Sequence, residues 1–222
     1  TLFPYTTLFR SDSYHANTAS VSGDNRSVAL RIAHALADVS LATAIVVVWQ
    51  RLYGPQETGW LAAPLRLMGF VPAVVHMAWA QVLLAQPQHA RTNPLWVGVG
   101  GFASVGVLGA GCAVTLEMGW LGDQWLGVWP YLLPLVVWQG SACLVAAFSH
   151  LPFQAQSAQR YSWACMALAG AQVIALLLPA LHVYTASAQT HMLIYGVVSA
   201  FALIALVFYI HSLSKQVSQM KA

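Results

Sequence analysis

Apolar positions along this chain gather into six long runs, separated by short polar breaks rich in glycine and proline. The runs cover 28–50, 60–85, 95–116, 126–149, 161–182 and 190–212. Each reaches the ~20 residues that a helix needs to cross a hydrocarbon core of about 30 Å. Backbone groups in lipid have no water to bond to, so runs of this kind are predicted to be helices. Nothing resembles the ten-residue alternation of a membrane barrel. The breaks carry turn chemistry: Gly54-Pro55, Gln86-Pro87, Asn93-Pro94, Gly119 with Gly122-Asp123, and Leu151-Pro152. The expected fold class is therefore all-α, a polytopic bundle of six transmembrane helices with no internal repeat.

Composition points the same way. Charged residues make up 7% and hydrophobic residues 59%, with a mean hydropathy of +0.65, against roughly 25% charged in a soluble domain. So few charges could not cover a water-exposed surface, which excludes a soluble enzyme and a disordered tail. The net charge of +3 comes from singly spread bases, without the basic stripe and interleaved aromatics of a nucleic-acid binder. Cys112, Cys143 and Cys165 lie in apolar runs with no CxxC spacing. They read as small buried hydrophobes, which excludes a secreted disulfide scaffold.

Residues 1–25 are expected to form no part of the bundle. Thr1–Ser11 resembles the conceptual translation of a sequencing-library adapter, and the polar stretch to Asn25 reads as a tail. How much chain precedes Asp12 is not given by the sequence. Residues 26–215 are expected to make one transmembrane domain, followed by a short tail at 216–222.

Lysine and arginine set the expected orientation. With the N-terminus inside, the cytoplasmic face holds Arg26, Arg31, Arg91, Arg160, Lys215 and Lys221, and the opposite face holds Arg51 and Arg66. That asymmetry predicts both termini on the cytoplasmic side, with a bacterial inner membrane as the expected location. Trp49, Trp60, Trp96, Trp120, Trp125, Trp129 and Trp163 fall near run ends, as an interfacial belt would. Small residues at four-residue spacing, Gly100/Ser104, Gly106/Ala110 and Gly109/Ala113, place the third run centrally in the bundle. Ala167, Ala171 and Ala175 do the same for the fifth. Pro64, Pro72, Pro130 and Pro134 predict kinks or loosened first turns.

Three charges lie inside the runs: Arg31, Asp38 and Arg66. Arg31 can snorkel to the headgroups. Asp38 is about 15 Å deep, where a carboxylate costs several kcal/mol unless neutral, paired or hydrated. His34 lies one turn before it, and His76 on the antiparallel second run reaches a similar depth. An Asp38–His76 hydrogen bond is the expected link between the first two helices. Among eight histidines, His34 and His76 are placed within the membrane, His182 and His191 near its outer edge, and His15, His89, His150 and His211 at ends or in tails.

Buried neutral imidazoles with small residues beside them suit haem b. His34 with His76 is one candidate pair, and His182 with His191 another. The stretch from Tyr184 through Gln189, His191 and Tyr195 to Gly196 resembles the haem-ligand helix of the haem-copper oxidase and nitric oxide reductase superfamily, which carries HxHxxxxxG. His191 matches the second histidine, and Gln189 stands in place of the first. That likeness implies a haem-binding role for His191 and extends over residues 184–196 only. No paired HH or further histidine set matches the superfamily's metal centre, so its catalytic chemistry is not implied. Arg31, His34 and Ala37 are similar to the opening of first helices in several small membrane haem proteins.

No lysine lies in any run, so a retinal Schiff base has no candidate. HExxH, a Walker A loop, GxSG with a downstream His, and CxxCH are all absent. Three function classes remain. The favoured one is a haem b redox subunit with His34, His76 and His191 as iron ligands, passing electrons between a quinone or protein donor and an acceptor. The second is a proton-coupled permease using Asp38, His76 and Arg66. Gln81, Gln139, Gln172 and Ser141 would line its path or bridge helices. The third is a non-catalytic membrane subunit within an oligomer or complex.

Overall fold

A run of leucine, valine and alanine without polar relief must satisfy its own amides and carbonyls, and the chain does so by winding into helices throughout. The computed structural model describes residues 25–85, 93–154, 157–181 and 186–220. Within them the side chains of 25–32, 34–35, 38–39, 83–85, 153–154, 158 and 214–220 stand outside the description. The elements are α1 (Asn25–Ala85), α2 (Pro94–Glu117), a 3-10 turn (Asp123–Val128), α3 (Trp129–Phe148), the one-turn α4 (Leu151–Gln154), α5 (Ala158–Leu177) and α6 (Ala188–Met220). No strand occurs among the described residues. Local chemistry sets the starts. Asn93 caps α2 by accepting from the Leu95 amide at 3.0 Å, with Pro94 at the first helical position, where its missing N–H costs nothing.

Among the described residues, five helices are long and apolar enough to cross a membrane: Ser40–Val82, Pro94–Glu117, Asp123–Phe148, Gln159–Leu177 and Ala188–Leu213. The first two expected runs fall in one element because the expected loop at 51–59 shrinks to a single non-helical residue. Gly54 has φ 85° and ψ 179°, a region open essentially to glycine alone. Thr58 pins the break by donating its hydroxyl to the Gly54 carbonyl at 2.7 Å. Pro64 and Pro72, by contrast, are absorbed within α1 without a non-helical residue.

Beyond Gly54, Met68 meets Gly109 and Val75 meets Gly101, so this half of α1 runs antiparallel to α2. Trp60 donates to the Gln124 carbonyl at 2.8 Å near the start of α3, and Trp79 reaches His150 beyond its end. It therefore runs parallel to α3. Glycine permits the closest approach at Gly127, where a Cβ would lie 2.3 Å from the Trp60 ring.

The central helix is α3, packed against α1, α2 and α6, and this corrects the expectation that the third and fifth runs lie centrally. Only one face of α2 is buried, through Gly98, Gly101, Val105, Gly109 and Leu116. A Cβ on Gly100, Gly106 or Gly111 would meet open space. On α5, Ala175 is buried while Ala167 and Ala171 are exposed. Small residues permit close packing, but they do not say which of two small faces is used. The tryptophans divide as well. Trp96, Trp120, Trp129 and Trp163 are exposed as a belt would be, but Trp49 is fully buried in the core.

Candidate functional site

Helical spacing brings His191, Tyr195 and Ser199 of α6 onto one face at intervals of one turn. All three are 0% exposed. From α1, Trp49 and Tyr53 also stand one turn apart, and Glu57 follows across the Gly54 break. Tyr131 comes from the first turn of α3. These residues meet at one end of the bundle.

The His191 ring stacks on Trp49, with centroids 4.5 Å apart and planes at 19°. Its Nδ1 is 3.0 Å from the Tyr53 hydroxyl. Its other edge faces the last turn of α5. There the Ile174 carbonyl accepts from Leu178 and the Leu177 carbonyl from Leu181. Ala175 would look to residue 179, which is a proline without an N–H. The Ala175 and Leu176 carbonyls are left for His191, whose ring lies beside both. Nε2 nonetheless makes no hydrogen bond of good geometry. Carbonyls on this edge favour a proton on Nε2, so Nδ1 is the acceptor and Tyr53 donates to it.

The second arm of the cluster carries the carboxylate. Tyr131 donates its hydroxyl to Glu57, and Trp49 Nε1 donates to the Tyr131 oxygen at 3.4 Å. Deeper along α6, Tyr195 meets Trp138 edge-on, with centroids 5.1 Å apart, and Ser199 lies beside the Tyr195 hydroxyl. Neither hydroxyl makes a hydrogen bond of good geometry among the described residues. A buried polar atom left unsatisfied costs about 1–3 kcal/mol, so a row of weakly paired polar groups is an expensive face for a helix to bury. Leucine or phenylalanine at these positions would avoid that cost. Such a row is what a path for protons or polar solute needs in a bundle core.

A second group lies at the far end of α3. Ser149 donates its one proton to the Ala146 carbonyl at 2.8 Å. The 3.2 Å contact with His76 Nδ1 therefore runs from the imidazole N–H to the serine oxygen, leaving a lone pair on His76 Nε2. Trp79 Nε1 donates to His150 Nδ1 at 3.1 Å. These side chains line a recess of about 170 Å³ with Ala80 and Ala146. Burial pushes the His150 pKa below the usual imidazole value, against a smaller opposing pull from the Ala147 backbone.

Among the described residues, the sequence-predicted His76, Arg66 and His191 stand apart from one another. His191 lies near one end of the bundle and is fully enclosed by protein, and His76 is exposed with Ser149 as its partner. Arg66 is exposed on α1. The side chains of His34 and Asp38, and His182 altogether, lie outside the described residues, so the Asp38–His76 bond and the His34/His76 and His182/His191 pairs fall there too. From the Tyr131 level to the Ser149 level is ~27 Å along α3, so His76 and His191 cannot share one iron. A haem-ligating imidazole also needs room for a macrocycle at its free nitrogen. Trp49 and the end of α5 enclose His191, and that residue does not fit the group. Among the described residues, no three His, Cys, Asp or Glu side chains gather to hold a metal ion.

Sequence reasoning passed over Glu57, Tyr53 and Tyr131. One signal was available: Trp49/Tyr53 and His191/Tyr195/Ser199 each repeat at four-residue spacing within apolar runs. No protein-family model, curated protein or solved structure matches this chain.

Proposed function

We propose that this chain is a proton-translocating integral membrane protein of the permease class, with His191 as the group that takes and releases the proton. In this reading Gly54 closes a hairpin between two spans, giving six spans with both termini cytoplasmic. The carrying observation is the buried face of His191, Tyr195 and Ser199 on one side of α6, where His191 Nε2 and the two hydroxyls make no hydrogen bond of good geometry. A proton arriving at Nδ1 makes the ring a cation. Its Nε2–H then points at the C-terminal carbonyls of α5, where the helix dipole holds about half a negative charge. Tyr195 and Ser199 follow at steps of ~6 Å. From Ala188 to Ser199 is ~16 Å, about half the depth of the hydrocarbon core. The role that the sequence assigned to Asp38, His76 and Arg66 passes to this face.

The test is proton uptake by proteoliposomes under a potassium diffusion potential, read with a trapped pH dye. Wild type is expected to acidify the lumen well above empty vesicles, and His191→Ala to abolish uptake. Tyr195→Phe removes one weakly paired hydroxyl, so it should keep or raise thermal stability while lowering uptake at least tenfold, a floor beneath the about 10²–10⁴ that a positioned proton carrier supplies. Wild-type vesicles no faster than empty ones would sink the proposal. So would a stoichiometric b-type spectrum in reduced-minus-oxidised absorption, which would return the histidines to iron ligation.

A further inference from the structure

We propose that Glu57 is the proton port of the buried face, loading His191 through Tyr131 and Tyr53; this rests on the proton-translocating reading above. Glu57 is half-buried, one turn past the Gly54 break, at the mouth of the cluster. The Thr58–Gly54 bond holds that turn and so fixes where the carboxylate stands. The other charged groups placed near this end, Arg51 on α1, Glu117 at the end of α2 and Asp123 in the 3-10 turn, are exposed. Glu57 alone among them holds a hydrogen bond to the buried aromatic group.

The transfer balances as a relay. While Glu57 is ionised, the Tyr131 O–H donates to it. A proton taken up by Glu57 releases that hydroxyl to turn toward Tyr53, whose ring meets the same Trp49 ring as Tyr131 does. Glu57 then gives its proton to the Tyr131 oxygen as the Tyr131 proton passes to the Tyr53 oxygen. The Tyr53 proton moves to His191 Nδ1 over the existing 3.0 Å contact. One proton has moved from Glu57 to His191, and both tyrosines are restored. Nothing is oxidised or reduced.

The experiment compares proton uptake of the full chain in proteoliposomes carrying wild type, Glu57→Gln, Glu57→Asp, Tyr131→Phe, Asp123→Asn or His191→Ala. Glu57→Gln and Tyr131→Phe are expected to lose at least about tenfold in initial rate. Glu57→Asp should keep part of it, and Asp123→Asn should match wild type. Tyr131→Phe keeps the ring's packing and tests the relay even where Glu57→Gln fails to fold. Full uptake by either relay variant beside a dead His191→Ala overturns the port and leaves the proton reading standing. Full uptake by His191→Ala overturns both.

Discussion

A histidine that accepts a hydrogen bond through Nδ1 can do so only while it is neutral. His150 takes the Trp79 N–H in this way, and burial holds its pKa below the usual value of 6.5. The folded protein therefore binds fewer protons here than the unfolded chain as pH falls through that value. The stability contributed by neutral His150 is complete above about pH 6.5 and is lost progressively below it. Its neighbours in the recess, His76 and Ser149, are already paired with each other and offer no countercharge. Thermal melts of detergent-solubilised protein at pH 7.5 and 5.5 should show acid destabilisation. His150→Gln should flatten it, since an amide oxygen accepts from Trp79 at either pH, a bond worth about 1 kcal/mol. An unchanged pH slope in the variant would show that the acid sensitivity lies elsewhere.

At the scale of elements, the decisive feature is one residue long. Gly54 joins two apolar runs without a loop, in a conformation that a Cβ disfavours by about 1–3 kcal/mol. Gly54→Ala has free space around its new Cβ, so any loss comes from the backbone and not from a clash. The variant should melt earlier and shift the Trp49/Tyr53 pair relative to Glu57, lowering proton uptake along with stability. Wild-type melting in Gly54→Ala would mean that the chain turns some other way. The Gly-Pro pair told of a break, and the start of α2 could be read from Asn93-Pro94. Partner choice was not legible in the same way. Hydrophobicity all round a helix hides which face is inside, so the small residues of α2 suggested a central helix when α3 holds that place. Trp49 near a run end looked like a membrane anchor, because belt and core tryptophans share one sequence environment. What its own run could not show for His191 is that Trp49 and the end of α5 enclose its ring. Proline at 179 was the unread clue, since it removes the amide that would have served Ala175.

At the scale of the whole molecule, the break at Gly54 and the distribution of bases bear on one question. If residues 25–53 and 55–85 form separate spans, an even number of crossings returns the C-terminus to the side where the chain began. Were α1 to count as a single span, five crossings would put Lys215 and Lys221 on the side opposite to Arg26 and Arg31, dividing the basic residues against the usual bias. Single cysteines in a background lacking Cys112, Cys143 and Cys165 decide between the two. Ser218→Cys and Gln56→Cys should label from opposite sides in oriented membrane vesicles with an impermeant maleimide, Ser218→Cys only from the cytoplasmic side. The Gln56 site lies just past the break and next to Glu57, so its sidedness also fixes the face from which the port loads. Labelling of Gln56→Cys from the cytoplasmic side, with Ser218→Cys labelled from the other, would place the buried His191 end on the cytoplasmic face. The proton path would then open toward the interior, and the orientation argued from lysine and arginine would be wrong.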